Sequence, residues 1–178
     1  MRWDDRLAEV FDDLEQQAEG LALAERDAQV AEQRRAEYAR VDLTGRLHAS
    51  VGQRLWLSVT GVGPLEAVLS RVGEGWCLLT AGDDWIVRLA AVGSVRGLID
   101  RAVDPGLRPV TGRLGFGSAL RGVQDGRGEA VLHRVDGSGV RCALGRVGAD
   151  FVEVRTGEPA AARVEVVPFS TVAAVRSG

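Results

Sequence analysis

The sequence predicts a mainly β protein behind one long N-terminal α-helix, with the β part built as two tandem small five-stranded barrels. Three observations carry that expectation. From Asp4 to about Val41 there is no proline and a single glycine, Gly20, among residues that favour helix. A shift of 75 positions lays Leu55–Leu79 on Ala130–Val154 without a gap. Within each copy, short alternating apolar runs are separated by Gly- and Pro-bearing turns. The expected organisation is a helix over 1–42, a first barrel over 43–99, a linker over 100–115 and a second barrel over 116–178.

The helix is amphipathic. Leu7, Val10, Leu14, Leu21, Ala24, Ala28 and Ala31 fall at steps of three, four and seven, which places them on one face. Asp4, Asp5 and Glu9 begin it, while Arg34, Arg35 and Arg40 end it, each sign complementing the helix dipole. So long a helix depends on packing its apolar face. The stripe Leu7, Val10, Leu14 and Leu21 is therefore the expected partner-binding surface. It would meet a protein partner or a second copy of the chain, as a coiled coil or helix hairpin. Residues 1–44 carry six Arg against twelve acids, a net −6, which argues against an anionic membrane surface.

The duplication is clearest where Leu69-Ser70-Arg71-Val72-Gly73-x-x-Trp76 matches Leu144-Gly145-Arg146-Val147-Gly148-x-x-Phe151. After a five-residue insertion, Ile86–Arg96 matches Val166–Arg176. In the first copy the expected strands are Leu55–Val59, Leu65 up to Gly73, Trp76–Leu79, Trp85–Leu89 and Val92–Arg96. The second copy repeats them, with Asp136-Gly137-Ser138-Gly139 as a hairpin turn whose Asp-Gly tolerates positive φ. Short helices are expected at about Leu43–Val51 and Ser118–Val123. Leu55, Leu57, Leu69, Leu78, Val87, Leu132, Leu144, Val154 and Val167 are the expected core, with Trp76 and Phe151 in matching, largely buried positions.

A short helix followed by five strands, the last two joined by a tiny turn and ending in Val-Arg, resembles the Sm-like (LSm) fold over residues 43–97 and 116–177. The layout as a whole is similar to an uncharacterised actinobacterial family, some of whose members are labelled transcription regulators. No second, basic recognition helix supports that label. The resemblance implies RNA binding through an Asp, an Asn and an Arg-Gly. Those positions here hold Gly73 and Cys77 in the first copy and Gly148 and Val152 in the second. Arg88 matches the Arg, but Leu89 replaces its Gly, and the second copy has Pro168-Phe169.

The chemistry is sparse. Every cation is Arg, and residues 45–178 hold sixteen Arg against thirteen acids, a net +3. Aromatics are only 5% of the chain. His48 and His133 are not equivalent under the repeat and read as exposed or satisfied structural residues. Asp83-Asp84 reads as a solvated turn, and Leu114–Ser118 as a flexible lead-in to the second barrel. Cys77 and Cys142 lie 65 positions apart without a CxxC, and are expected to be buried or half-buried free thiols of a cytosolic protein. The start, Met1-Arg2-Trp3-Asp4-Asp5, does not read as a secretory signal, and no apolar run is long enough to span a membrane. Arg71, Arg88 and Arg146 are the candidate anion or nucleic-acid contacts. No catalytic, cofactor or metal site is expected. The expected function is a non-enzymatic protein-interaction module, a scaffold or regulatory adaptor in the cytoplasm. An Sm-like nucleic-acid (RNA) binding regulator using Arg on the barrels is the less favoured alternative.

Overall fold

The computed structural model describes residues 20, 21, 23, 25–125, 129–157 and 162–177. The chain divides into two units, Met1–Val41 and Asp42–Gly178. In the first unit, the described residues from 20 to 38 form helix α1, which ends in a turn at Ala39-Arg40. Leu21 is 72% exposed, and Leu23, Val30 and Tyr38 are exposed too. Leu7, Val10 and Leu14 lie outside the described residues. The expected long N-terminal helix and coiled coil are corrected: among the described residues α1 covers 20 to 38, and no coiled-coil seam is formed. Beyond Leu23 the stripe is Ala28 and Ala31, which supply no large knobs for a facing helix.

The second unit opens with helix α2, Leu43–Ala49. Asp42 caps it by accepting from the Gly45 amide at 2.7 Å, and Arg108 pairs with the same carboxylate. Ten strands follow: β1 Arg54–Val59, β2 Gly63–Gly73, β3 Trp76–Ala81, β4 Asp83–Arg88, β5 Val92–Arg96, β6 Ala130–Arg134, β7 Gly139–Val147, β8 Phe151–Thr156, β9 Arg163–Pro168 and β10 Val172–Ser177. Helix α3, Phe116–Asp125, precedes β6.

The mainly β character stands, but the two tandem five-stranded barrels do not. The strands form one ten-stranded sheet in the order β5-β1-β2-β3-β4-β10-β6-β7-β8-β9. Closing each half separately would require β4 to pair with β5. Instead the three-residue 3-10 turn Leu89–Ala91 carries the chain across to pair β5 with β1, and the free edge of β4 pairs antiparallel with β10. The two halves nevertheless repeat one strand order. Trp56 faces Arg96 in β1/β5 as Val131 faces Arg176 in β6/β10, and Trp76 faces Arg88 in β3/β4 as Phe151 faces Pro168 in β8/β9.

The β4–β10 joint makes the two cores share residues. Leu47, Leu55, Leu57, Leu69, Leu79 and Val87 form one core, which takes in Ala173 and Ala174 from the second half. Phe116, Leu120, Leu132, Leu144, Val154 and Val167 form the other, which takes in Trp76 and Ile86 from the first half. Side chains alternate along a strand. Cys77, Leu79 and Val87 therefore fill the first core while Trp76, Leu78 and Ile86 face the opposite way. That two-sided burial explains why Trp76-Cys77-Leu78-Leu79 reads as a continuous apolar run. Every expected core residue is buried except Leu78, which is half-buried.

The shared Arg-Val-Gly-x-x-aromatic has a steric cause. A Cβ on Gly73 would lie 2.2 Å from the Trp76 indole, and one on Gly148 would lie 2.4 Å from the Phe151 ring. In each half the aromatic lies against the glycine backbone across the β2–β3 or β7–β8 turn. Trp76 is 7% exposed, but Phe151 is only half-buried, contrary to the expectation that both are largely buried. Trp76 belongs to a strand pair flanked by the other half, whereas Phe151 stands beside β9, the edge of the sheet.

Two substitutions test this packing. Leu69→Ala should lower the unfolding free energy by about 2–5 kcal/mol in a denaturant titration; a loss under about 0.5 kcal/mol, the scale of a surface change, would place Leu69 outside the core. Gly73→Ala should destabilise by about 1–3 kcal/mol through overpacking against Trp76, and a Trp76→Ala background should remove most of that cost.

Candidate functional site

The alternation of β2 breaks at a bulge between Leu69 and Arg71, where Ser70 is the extra residue. Leu69 and Val72 stay buried, and Arg71 emerges exposed, opposite Leu78. The second half has the same irregularity between Leu144 and Val147, which turns Arg146 outward. There the likeness ends. Arg146 grips Glu153 through two bonds, Nε to Oε2 at 3.0 Å and Nη2 to Oε1 at 2.8 Å. That pairing pulls the Glu153 carboxyl below its usual range and raises the guanidinium. Leu78 holds the position equivalent to Glu153, so Arg71 meets no carboxylate there. Among the described residues Arg71 has no hydrogen bond or ion pair.

Arg71 lines a cleft of about 410 Å³. Its floor is Trp76, Leu78 and Ile86, and its far wall is α3 with Leu114. α3 turns Ser118, Ala119, Gly122 and Val123 toward the cleft, three of them small enough to leave it open, while Phe116 and Leu120 point into the core. A Cβ on Gly122 would meet nothing within 4 Å. Leu114 is fixed in place: its carbonyl accepts from Trp76 Nε1 at 2.7 Å and from the Glu74 amide at 3.1 Å. A second cleft, about 310 Å³, shares Arg71, Trp76 and Leu114 and extends to His48, Val51 and Thr111. On the rim of the first cleft Asp84 is engaged through a polar ladder. It accepts from Thr80 Oγ1 at 2.9 Å, and that hydroxyl lies 2.9 Å from Ser70 Oγ.

The three candidate arginines are not brought together. Arg88 is half-buried in the joint between the halves. Its guanidinium donates to the Phe169 carbonyl and to that of Val172 at 3.3 Å, and lies 5.8 Å from the centre of the Phe116 ring. Desolvation lowers its pKa. It is a clamp between strands, with its donors turned toward protein carbonyls. Arg146 is held by Glu153, and Arg71 alone presents an unpaired fork. Of the expected partner-binding residues Leu7, Val10, Leu14 and Leu21, only Leu21 is described, and it is exposed.

Cys77 and Cys142 are free and buried, and burial pushes the Cys77 thiol up to about 12, so it is not a thiolate nucleophile. Contrary to the expectation of exposed or satisfied imidazoles, the Nε2 atoms of His48 and His133 are buried without a partner. Burial lowers both imidazole pKa values, helped by the charges of Arg108 and Arg176 respectively. His133 also stacks on Trp85 at 5.3 Å between ring centres. Among the described residues no group of three or more His, Cys, Asp or Glu is placed to hold a metal ion, and no helix is long and apolar enough to cross a membrane.

Sequence reasoning marked Arg71 but missed the apolar floor beside it. The signal was present in the repeat: Leu78 stands where the second copy has Glu153, a loss of the one carboxylate that would silence Arg71. The contribution of α3 was not visible, because small residues facing a gap have no pattern of their own. No protein-family model, no curated protein and no solved structure matches this chain.

The two imidazoles give the protein a defined acid sensitivity. A folded-state pKa below the unfolded value means that the unfolded chain binds more protons, so stability is complete above the unfolded value near 6.5 and falls as pH drops below it. Denaturant midpoints measured from pH 7.5 to 5 should decline across that window, and a His48→Gln/His133→Gln variant should flatten the decline. An unchanged slope would assign the acid sensitivity to the carboxylates instead.

Proposed function

We propose that this protein is a non-catalytic interaction module that docks an acidic, apolar-bearing segment of a partner protein. The single observation that carries the reading is Arg71, an unpaired guanidinium beside an apolar cleft, in contrast to its paired counterpart Arg146. A planar guanidinium matches a carboxylate through two parallel bonds. The Trp76, Leu78 and Ile86 floor offers a place for an aliphatic or aromatic side chain next to that carboxylate. Leu21 and Leu23 on α1 support a second contact with a protein partner, since exposed leucines gain by being covered. The unpaired thiols Cys77 and Cys142 support a cytoplasmic location.

Binding of the full chain to an array of acidic peptides with interspersed Leu, Phe and Trp tests the reading. Selected peptides should bind at least about tenfold more weakly to Arg71→Ala, given that a hydrogen bond to a charged group is worth about 1.5–3 kcal/mol. Leu78→Glu should do the same by rebuilding the ion pair of the other half, and Gly122→Leu should block binding by filling the cleft while leaving Arg71 intact. Peptides that bind all three variants as well as the unaltered chain would overturn the proposal. So would binding of RNA in preference to peptide, with the steep salt dependence of phosphate contacts.

A further inference from the structure

We infer that the segment docked in the Arg71 cleft carries a base as well as an acid, in an extended stretch of the form acid-x-apolar-x-base, with the base on Asp84. The inference rests on the reading of Arg71 as a carboxylate anchor, and it adds the second charge of the same cleft. Asp84 lines that cleft and is exposed. Among the described residues it has no ion pair, since its neighbour Asp83 takes Arg176, at 3.8 Å. Thr80 Oγ1 gives its one hydrogen to Asp84 Oδ1, so the Ser70 hydroxyl donates in turn to Thr80. The ladder orients the carboxylate without neutralising it.

The pairing register sets the distance between the two charges. Arg71 faces Leu78 and Leu78 faces Ile86, one row across β2, β3 and β4. Asp84 stands two residues along β4 from Ile86, on the same face. Neighbouring strands lie about 4.8 Å apart and a residue advances about 3.4 Å, which puts the Cα atoms of Arg71 and Asp84 about 12 Å apart on the diagonal. The apolar strip of Leu78 and Ile86 lies between them. In an extended segment residues i, i+2 and i+4 share one face, and i to i+4 spans about 13 Å. An acid at i then reaches Arg71, an apolar side chain at i+2 settles on Leu78 and Ile86, and a base at i+4 reaches Asp84.

The second half carries none of this. The pairs Val68–Thr80 and Thr80–Asp84 recur as Ala143–Arg155 and Arg155–Val164. Ser70, Leu78, Thr80 and Asp84 thus correspond to Gly145, Glu153, Arg155 and Val164. There the acid stands beside the arginine and the pair closes on itself. In the first half the acid stands at the far corner of the cleft, fixed by hydroxyls. Arginine alone would take any carboxylate. Arginine and aspartate together select a partner whose own charges are separated in the same way, because an all-acidic segment would bring like charge against Asp84.

Fluorescence anisotropy with the full chain and three labelled peptides tests this. One peptide carries Glu-Ser-Leu-Ser-Lys, one has Gln in place of the Lys, and one has the same composition with Glu and Lys adjacent. The first should bind about 2- to 5-fold more tightly than the others, the scale of one exposed ion pair. Asp84→Asn, which keeps the acceptor for Thr80, should remove that preference. Asp84→Lys should favour a peptide with Glu in the last place, and circular dichroism of each variant checks that the sheet is intact. Free leucine, whose charges are too close together to span the cleft, should not displace the peptide. If the first peptide has no advantage, or keeps it on D84N, the inference fails, while weaker binding of all three to Arg71→Ala would leave the docking reading standing. Binding indifferent to R71A would overturn both, and displacement by free leucine would overturn the inference in favour of a small zwitterion.

Discussion

The pairing of β4 with β10 is the constraint on which the rest of this structure depends. Without it each half would expose an edge, and the outward face of β3 and β4, with Trp76, Leu78 and Ile86, would be left wet. With it, that face becomes the wall of a second core. Arg88 bonds to carbonyls of the opposite half, and Arg176 lies 5.4 Å over the Trp85 ring. The sequence difference between the two equivalent last strands follows from the same joint. β10 is covered by strands on both sides and buries Val172, Ala173, Ala174 and Val175, whereas β5 sits at the edge and keeps Gly93, Ser94 and Arg96 exposed.

The duplication, most of the strands, both short helices and eight of the nine expected core residues were legible in the sequence. They were legible because they are local: alternation, turn chemistry and a repeated glycine under an aromatic each leave a mark within a few residues. What was not legible is which strand lies beside which. A five-strand unit that closes on itself and one that hands its fourth strand to its neighbour have the same periodicity. The choice is made by contacts between residues some 80–90 positions apart, such as Val87 with Ala174. The half-burial of Leu78 has the same origin. Its apolar character suited a core, but the joint puts it on the side facing α3, where small residues leave a gap.

Duplication also explains how the proposed docking surface differs from its counterpart in the other half. Two copies of one unit begin with the same bulge and the same outward arginine. In one copy Glu153 neutralises it; in the other, Leu78 does not. A single position thus separates a saturated surface ion pair, worth little to stability, from an arginine that has no ion-pair partner among the described residues. The joint deepens the difference, since only the first half has the other half's helix, α3, standing over the apolar floor.

Hydrogen exchange of the folded chain tests the central claim of a single continuous sheet most directly. The amides of β4 and β10 that form the joint should be as strongly protected as those of β1, β2, β6 and β7, and all should exchange through one cooperative opening. Fast exchange along β4 and β10, with the two halves opening independently at different free energies, would contradict it and return the protein to two separately closed units.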